Sequence, residues 1–451
     1  MAKKLAFLTV LVLLATSLFG GMLGAVAEEN KDFMTGTLRL VGPGFTAYDD
    51  VTDPVSGVVT LGHHYLIELF EQTYPNMKLE IEVVPWDSWT AKLQAAANAG
   101  QADVLVHGGT MVDVVKDMTP FLESSPELLD YLYTQGTYRR ANAEDYTKLS
   151  RTAVPVGLNA YVLCYDKQIF DNFGVAYPDE NDTWETLLAK LQAITGVNPV
   201  TGENCYGSTI NMSATNLWRP FMSYNWSNDI HVTEFADKKF ESKILYNTPE
   251  VVGSFAFLKE LGKTFAPGYQ EKVGFEGFGT NKNNVGIYLD VMPLRCYQWT
   301  VANNCVDRYG YAPYPKLKSG DGRAFFLGDW NMAIPKTTGN EKAAWEFIKW
   351  MITDERVADY ILATGNVPNS KKAIENLAAN GYPFADAFAK DFEGFPPFFW
   401  ANSSVHYDNL FGSVESIFGN YVTPLYAQEI TPEDCAAGIQ KELEEMAASM
   451  K

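Results

Sequence analysis

From Gly36 to Glu123 the chain alternates apolar extended runs with helical ones, and this order narrows the fold class more than any other feature. "GTLRLVGPGF" reads as a strand that stops at Gly-Pro-Gly. In "HHYLIELFEQTYPNMK", Tyr65, Leu66, Leu69 and Phe70 fall on one helical stripe. The strand "LEIEVVP" follows, then the helix "SWTAKLQAAANAG", with Asp87 or Ser88 as N-cap and Gly100 as terminator. "ADVLVHGG" is a short strand, and "DVVKDMTPFLE" turns back as helix. Strands joined through helices rather than tight turns pair in parallel. An α/β chain with a largely parallel sheet and helices on both faces is expected.

The pattern resumes at "RTAVPVGLNAYVLCYDKQIFDNFG", a long apolar strand and a helix closed by Gly174. "DTWETLLAKLQAIT" is an amphipathic helix capped by Asp182 or Thr183. "NNVGIYLD", "RYGYAPYP" and "FFLGDWNMAIPK" are strand-like, and "NEKAAWEFIKWMITDERVADYILATG" reads as one long helix. "TPEDCAAGIQKELEEMAASM" closes the pattern as a helix with Thr431 as cap and Pro432 at its first position. The chain shows no fixed-period repeat.

Residues 1–27 read as a removable export signal: Lys3 and Lys4, the apolar "LAFLTVLVLLA", and Ala25-Val26-Ala27 as cleavage site. Cleavage near Ala27 leaves 424 residues, room for two lobes, with 33 basic against 55 acidic residues and a net charge of −22. That surface repels nucleic-acid phosphates and anionic lipid, which are excluded as partners. No cysteine stands at the cleavage site, so a free exported protein, periplasmic or otherwise extracytoplasmic, is expected rather than a lipid-tethered one. The five cysteines form no CxxC pair and none lies beside a histidine at metal-ligand spacing. Buried free thiols and a Cys296–Cys305 bridge both remain open.

In this order the segments resemble the extracellular solute-binding proteins of family 1, the sugar-capturing components of bacterial ABC importers. "LFEQTYPNMKLEIEVVPWDSWTAKLQAAANAGQADVL" is similar to that family's early helix–strand–helix–strand run. "VPVGLNAYVLCYDKQIFDNFG" looks like its passage into a second lobe, and "NNVGIYLD" and "FFLGDWNMAIPKTTGNEKAAWEFIKWM" like its return crossing and the strand and helix that follow. The resemblance implies a two-lobe, periplasmic-binding-protein-like α/β fold with a ligand cleft between mostly parallel sheets. Mapped here, the first lobe spans 31–155 and 291–350, and the second 156–290 and 351–451. It further implies a small-molecule ligand, a mono- or oligosaccharide, lobe closure around it, the permease subunits of an ABC importer as partner, a monomer, and neither cofactor nor catalysis. Crossings near Val154-Pro155, Leu289-Asp290 and the start of "MITDE" are the expected hinges. The acidic stretch "DDVTDPVSG" is longer than the family's usual connection there.

Sugars offer apolar C–H faces and rings of hydroxyls, so a binder needs flat aromatic rings and fixed polar groups. Candidates lie where strands end on the expected cleft. Phe45 and Tyr48 follow the first strand, Trp86 the second, and His107 and Thr110 the third. Asn159 sits at the crossing; Trp218, Tyr224 and Trp226 lie in a segment read as irregular. Asp290 ends "GIYLD", Asp329 and Trp330 belong to "GDW", and Trp400 lies in "PPFFWANSS". Trp330 is read as a cleft ring because Gly-Asp precedes it. Trp86 and His107 are open to either packing or ligand contact. Trp89 is read as packing on a stripe with Leu93 and Ala96, and Trp345 and Trp350 as core.

Other functions find less support. An exported glycan-degrading enzyme needs two carboxylates isolated by position, and no local motif isolates them, nor does any GxSxG, HExxH or P-loop pattern occur. A polyamine binder of the same fold would use Asp290 and Asp329 around the aromatics. Metal capture needs clustered ligands that five scattered histidines do not supply, and Asp49, Asp50 and Asp53 lack EF-hand spacing.

Overall fold

The computed structural model describes residues 31–449 apart from 53–58, 87, 112, 134–138, 142–148, 211–213, 235–242, 268–276, 321, 324–326 and 393–410. The strands of its two main sheets are β1 (Gly36–Gly42), β2 (Met77–Val83), β3 (Val104–Val106), β4 (Val154–Ala160), β5 (Leu163–Asp166), β6 (Gly196–Val197), β7 (Asn204–Thr209), β8 (Val285–Tyr288), β9 (Tyr309–Ala312), β10 (Leu327–Ala333) and β11 (Val367–Pro368). A six-stranded sheet has the order β11-β4-β10-β3-β1-β2, and a five-stranded sheet the order β6-β7-β8-β5-β9. The expected parallel pairing holds for β2-β1-β3 and for β7-β8. The sheets are mixed rather than mostly parallel, because β4, β10 and β11 and, in the other sheet, β5, β6 and β9 add antiparallel pairs.

Helices form where capping and periodicity agree. The helix Lys167–Phe173 starts on the Asp166 side chain, which accepts from the Gln168 and Ile169 amides, and ends on Gly174 at φ +68°. Trp184–Ala193 begins with a Thr183–Thr186 capping box. In the helix His63–Thr73 the expected stripe is the packed one, with Leu66, Leu69 and Phe70 buried. Two expectations fail. The segment read as irregular is the helix Ala214–Ser227, which keeps Pro220 inside because Leu217, Phe221 and Met222 are buried in an aromatic core with Phe255 and Phe418. Conversely, the long helix splits into Glu341–Thr353 and Val357–Ala363. Asp354 breaks it by adopting an extended backbone and binding the Arg356 amide and the Trp350 indole.

Each sheet has its own core. Leu38, Leu40, Phe70, Val104, Trp345 and Trp350 are buried around the first, the two tryptophans as expected. Phe170, Trp184, Phe221, Phe255 and Ile287 are buried around the second. The lobe limits expected at 155/156, 290/291 and 350/351 shift accordingly. β4 belongs to the first sheet and β5 to the second, so the first crossing is Tyr161–Val162. The helix Pro293–Ala302 and β9 stay in the second lobe, with Leu294, Cys296 and Tyr309 buried there. β9 pairs with β5 from Tyr309↔Asp166 to Ala312↔Leu163, and this moves the return crossing beyond Ala312, away from Leu289-Asp290. The helix Val357–Ala363 and β11 remain with the first lobe, so the last crossing follows Pro368.

A buried ion pair ties the second lobe together at the end of β5. Asp166 has no exposed surface; it accepts from Arg308 Nε at 2.8 Å and Asn283 Nδ2 at 2.8 Å as well as capping its helix. Arg308 continues to the carbonyls of Asn281 and Asn283 at 2.7 and 2.9 Å. Removing one partner of such a pair strands the other charge in the interior. Asp166→Ala is expected to cost about 3–5 kcal/mol in urea unfolding, whereas the exposed pair partner Lys243→Ala should change stability by less than about 1 kcal/mol.

Candidate functional site

The parallel strands β1, β2 and β3 end at one edge of the first sheet, and their following residues converge there. β1 runs into Pro43, Gly44 and Phe45, β2 into Pro85 and Trp86, and β3 into His107. The antiparallel β10 enters at the same edge, and the His107 amide donates to the Asn331 carbonyl at 2.8 Å. His107 is half-buried and holds a left-handed backbone at φ +64°. Its ring lies 4.9 Å from Trp86 and 6.3 Å from Trp89, both edge-on. Gly44, at φ +87°, completes the group: a Cβ there would lie 3.3 Å from Trp330 Nε1, 3.4 Å from Trp86 Cζ2 and 3.5 Å from His107 Nε2. Only a glycine fits both the turn and the rings. The Asn331 carboxamide accepts from the Gly109 amide at 3.1 Å, and the Thr46 hydroxyl donates to Tyr360 at 3.3 Å, fixing the two flanking turns.

Behind this edge lies Trp330. It is buried to 1%, with Phe45 at 5.3 Å and Tyr360 at 6.1 Å, and its Nε1 has no hydrogen-bond partner among the described residues. The ring therefore backs the site instead of facing a cleft as its Gly-Asp context suggested, because Phe45 and Tyr360, distant in sequence, cover it. Trp86 has the opposite environment and is 56% exposed. Tyr48, 59% exposed, packs edge-on against His63, which also meets Phe45. Trp89 packs on Leu93 and Ala96 as expected.

The second lobe's candidates do not join this group. Trp218 is buried to 1% and Trp226 lies edge-on to it at 6.2 Å. Tyr224 stacks on Phe257 at 4.0 Å. These three are packing residues of a core helix in this conformation, contrary to their expected place at the cleft. Asp290 is nearly buried, beside the Leu289 carbonyl that receives the Tyr314 hydroxyl at 2.6 Å. Thr110, Asn159 and Asp329 are described by backbone alone, in the 3-10 turn Gly108–Thr110 after β3, in β4 and in β10, and Trp400 lies outside the described residues. All five cysteines are free and buried, Cys305 donating to the Gly279 carbonyl at 3.1 Å. No three His, Cys, Asp or Glu side chains are grouped for a metal among the described residues.

Two arginines escaped the sequence reading. Arg219 lies 4.2 Å over the Tyr161 ring at the first crossing. Arg295, in the first turn of the helix Pro293–Ala302, reaches the other lobe: a Cβ on Gly365 would lie 3.2 Å from its Nη2 and 3.1 Å from Met292 Cε. The neighbouring Asn366 contacts the position of Gly157, which also touches Trp330. Arg295 thus stands where the lobes face each other, behind a continuous line of contacts to the aromatic edge. Only its isolation in a first turn without acids, "MPLRC", was visible in sequence.

Residues 62–358 match the family described as bacterial extracellular solute-binding protein. The chain belongs to that family. Solved structures agree on the fold. The ABC transporter solute-binding protein from Agrobacterium radiobacter K84, in complex with ribitol, is 19% identical over 91% of this chain and 98% of its own, with a TM-score of 0.67. The maltose-bound MalE3 of T. maritima is 20% identical over 91% of this chain and 100% of its own, with a TM-score of 0.65. The sugar-binding protein MalE from Xanthomonas citri is 15% identical over 92% and 98%, with a TM-score of 0.68. Family members are binding proteins that act outside the cytoplasm, and among the described residues no helix is long and apolar enough to cross a membrane.

For a solute-binding protein, the charge of the wall decides which solutes it tolerates. Burial of the His107 imidazole pushes it down to about 3, so the aromatic edge is neutral at physiological pH. The folded value lies below the ordinary 6.5, so the unfolded chain takes up a proton that the folded one refuses. Stability from this group is complete above about 6.5 and is lost as pH falls from there towards about 3. His107→Gln is expected to flatten the fall in unfolding free energy between those limits. In NMR the His107 ring should stay neutral through about pH 5; a ring titrating near its ordinary value would show that it is solvated.

Proposed function

We propose that this protein captures a carbohydrate, a mono- or oligosaccharide, outside the cytoplasm and delivers it unaltered to the permease of an ABC importer. The observation that carries the reading is Trp86: a broad ring, more than half exposed, held edge-on by His107 and Trp89 beside a glycine turn at convergent strand ends. Such an edge is where open α/β sheets bind ligands. It offers a flat apolar face for the C–H side of a sugar, with backbone amides close by. The ribitol- and maltose-bound relatives support the ligand class. We read residues 1–27 as the export signal, cleaved near Ala27, and the product as a free monomeric binding protein, periplasmic where an outer membrane exists. Thr110, Asn159, Asp290, Asp329 and Trp400 stay as proposed polar and stacking contacts of a closed, loaded form.

Calorimetry against mono- and oligosaccharides tests the reading. A ligand held at 100 times its dissociation constant should add about 2.7 kcal/mol to unfolding. Trp86→Ala should weaken saccharide binding roughly tenfold, equivalent to about 1.4 kcal/mol, and change stability by no more than about 0.5 kcal/mol because the ring is exposed. Heat with a diamine and none with any sugar would overturn the reading in favour of a polyamine.

Closure is the second expectation. The crossings at Tyr161–Val162, after Ala312 and after Pro368 leave few backbone dihedrals to change between lobe orientations. Scattering with saturating sugar should show a smaller radius of gyration than without it. An unchanged profile with proven binding would mean that the cleft is preformed.

A further inference from the structure

We propose that the solute is an acidic saccharide, a uronic acid or a glycan that ends in one, whose carboxylate is received by Arg295. The proposal rests on the carbohydrate reading and narrows it. Arginines elsewhere whose side chains are described are engaged. Arg39 holds Asp103, Arg308 holds Asp166 and Arg356 holds Asp354, while Arg323 donates to the Tyr314 and Glu180 carbonyls. Arg295 makes no hydrogen bond and no ion pair with any described residue, although acidic residues outnumber basic ones 55 to 35. It is half-buried, and desolvation pushes its guanidinium below the usual arginine value. A cation shielded from water without a counter-charge is costly, and a fixed anion is the natural way to offset that cost.

The surroundings favour a carboxylate in particular. The guanidinium is a planar fork of donors that matches a carboxylate two bonds at a time. Its helix begins at Met292 with no side-chain cap and carries no acid in the first turn, so the first-turn amides and the positive end of the helix add to the same field. Across from it, Gly365 at φ +88° brings only backbone to the guanidinium, and a Cβ there would lie 3.2 Å from Nη2. The wall beyond supplies the rest of a sugar site, a neutral His107 and the exposed Trp86. A saccharide spanning the cleft from Trp86 to Arg295 would stack at one end and set its acid group at the other, touching both lobes. That is the differential contact that closure requires.

The test is calorimetry of the full exported chain with matched pairs: D-galacturonate against D-galactose, D-glucuronate against D-glucose, and digalacturonate against galactobiose. At least one uronate should bind tenfold or more tighter than its neutral partner. Arg295→Gln should remove that preference while the unliganded protein melts at the same temperature or higher, since no internal partner is lost. Arg295→Lys should retain part of it, and also serves as the readout if the glutamine variant does not fold. Raising salt from about 50 to 500 mM should weaken uronate binding but not neutral binding. Neutral sugars that bind as well as their uronates, or a preference that survives Arg295→Gln, would overturn the inference and leave the carbohydrate reading intact. If no saccharide of either kind binds, the carbohydrate reading itself fails and takes this inference with it.

Discussion

The two residues Tyr161 and Val162 separate β4 from β5 and thereby one sheet from the other, and the rest of the molecule is arranged around that short step. β4 pairs with β10 and β11; β5 pairs with β8 and β9. Both strands are interior to their sheets, so neither can slip without breaking two ladders. Tyr161 and Val162 are themselves buried, at 5% and 0% exposure, which anchors the linker where most hinges would be open to solvent. Each sheet therefore has its own main core, and Leu158 and Val367 of the first sheet pack into the second core beside the pivot.

That pivot explains how a ligand gains leverage. Each lobe is closed by its own packing and by a buried acid–arginine pair, Asp103 with Arg39 in the first and Asp166 with Arg308 in the second. Burial raises the Asp103 carboxyl, but the Arg39 and Thr338 hydrogen bonds outweigh it and hold the group below its ordinary value. These pairs stiffen each lobe internally and do not cross between them. Free energy released by a solute bridging Trp86 and Arg295 is then spent on lobe orientation rather than on local repacking, because packed cores yield in discrete steps and loops near the crossings do not.

Much of this was legible in the sequence, and the failures have identifiable causes. The early strand–helix order, the Thr183 cap, the Gly100 and Gly174 terminators and the buried stripe of the first helix depend on local spacing alone, and they hold. The sheet change at Tyr161 was invisible because "VPVGLNAYVLCYD" is one unbroken extended run; only the partners on either side reveal two strands. The helix around Trp218 was hidden by Pro220, whose cost is outweighed by burial of Leu217, Phe221 and Met222. Trp330 looked exposed from its Gly-Asp context, yet its cover comes from Phe45, far back in the chain, and from Tyr360 on a following helix. Arg295 carried only the faint signal of a first turn without acids, since the lack of a partner is a property of three dimensions.

A strongly acidic protein is an unexpected host for an anion, and magnitudes show why the conflict is small. Charges spread over the surface act through water and salt, and beyond a Debye length of about 8–10 Å they are largely screened. The cleft acts at contact distance: two unit charges 4 Å apart at an effective dielectric of about 20 interact by about 4 kcal/mol. One unpaired guanidinium within reach outweighs many distant carboxylates, provided that no carboxylate shares its pocket. No described carboxylate forms an ion pair or hydrogen bond with Arg295. Across the lobes it meets Gly365, its own N-cap Met292 lies beside it, neither is charged, and its own helical turn holds no acid. The acidic exterior then has a separate physical role, keeping an exported protein soluble and clear of anionic membrane surfaces, without setting the charge preference of the site.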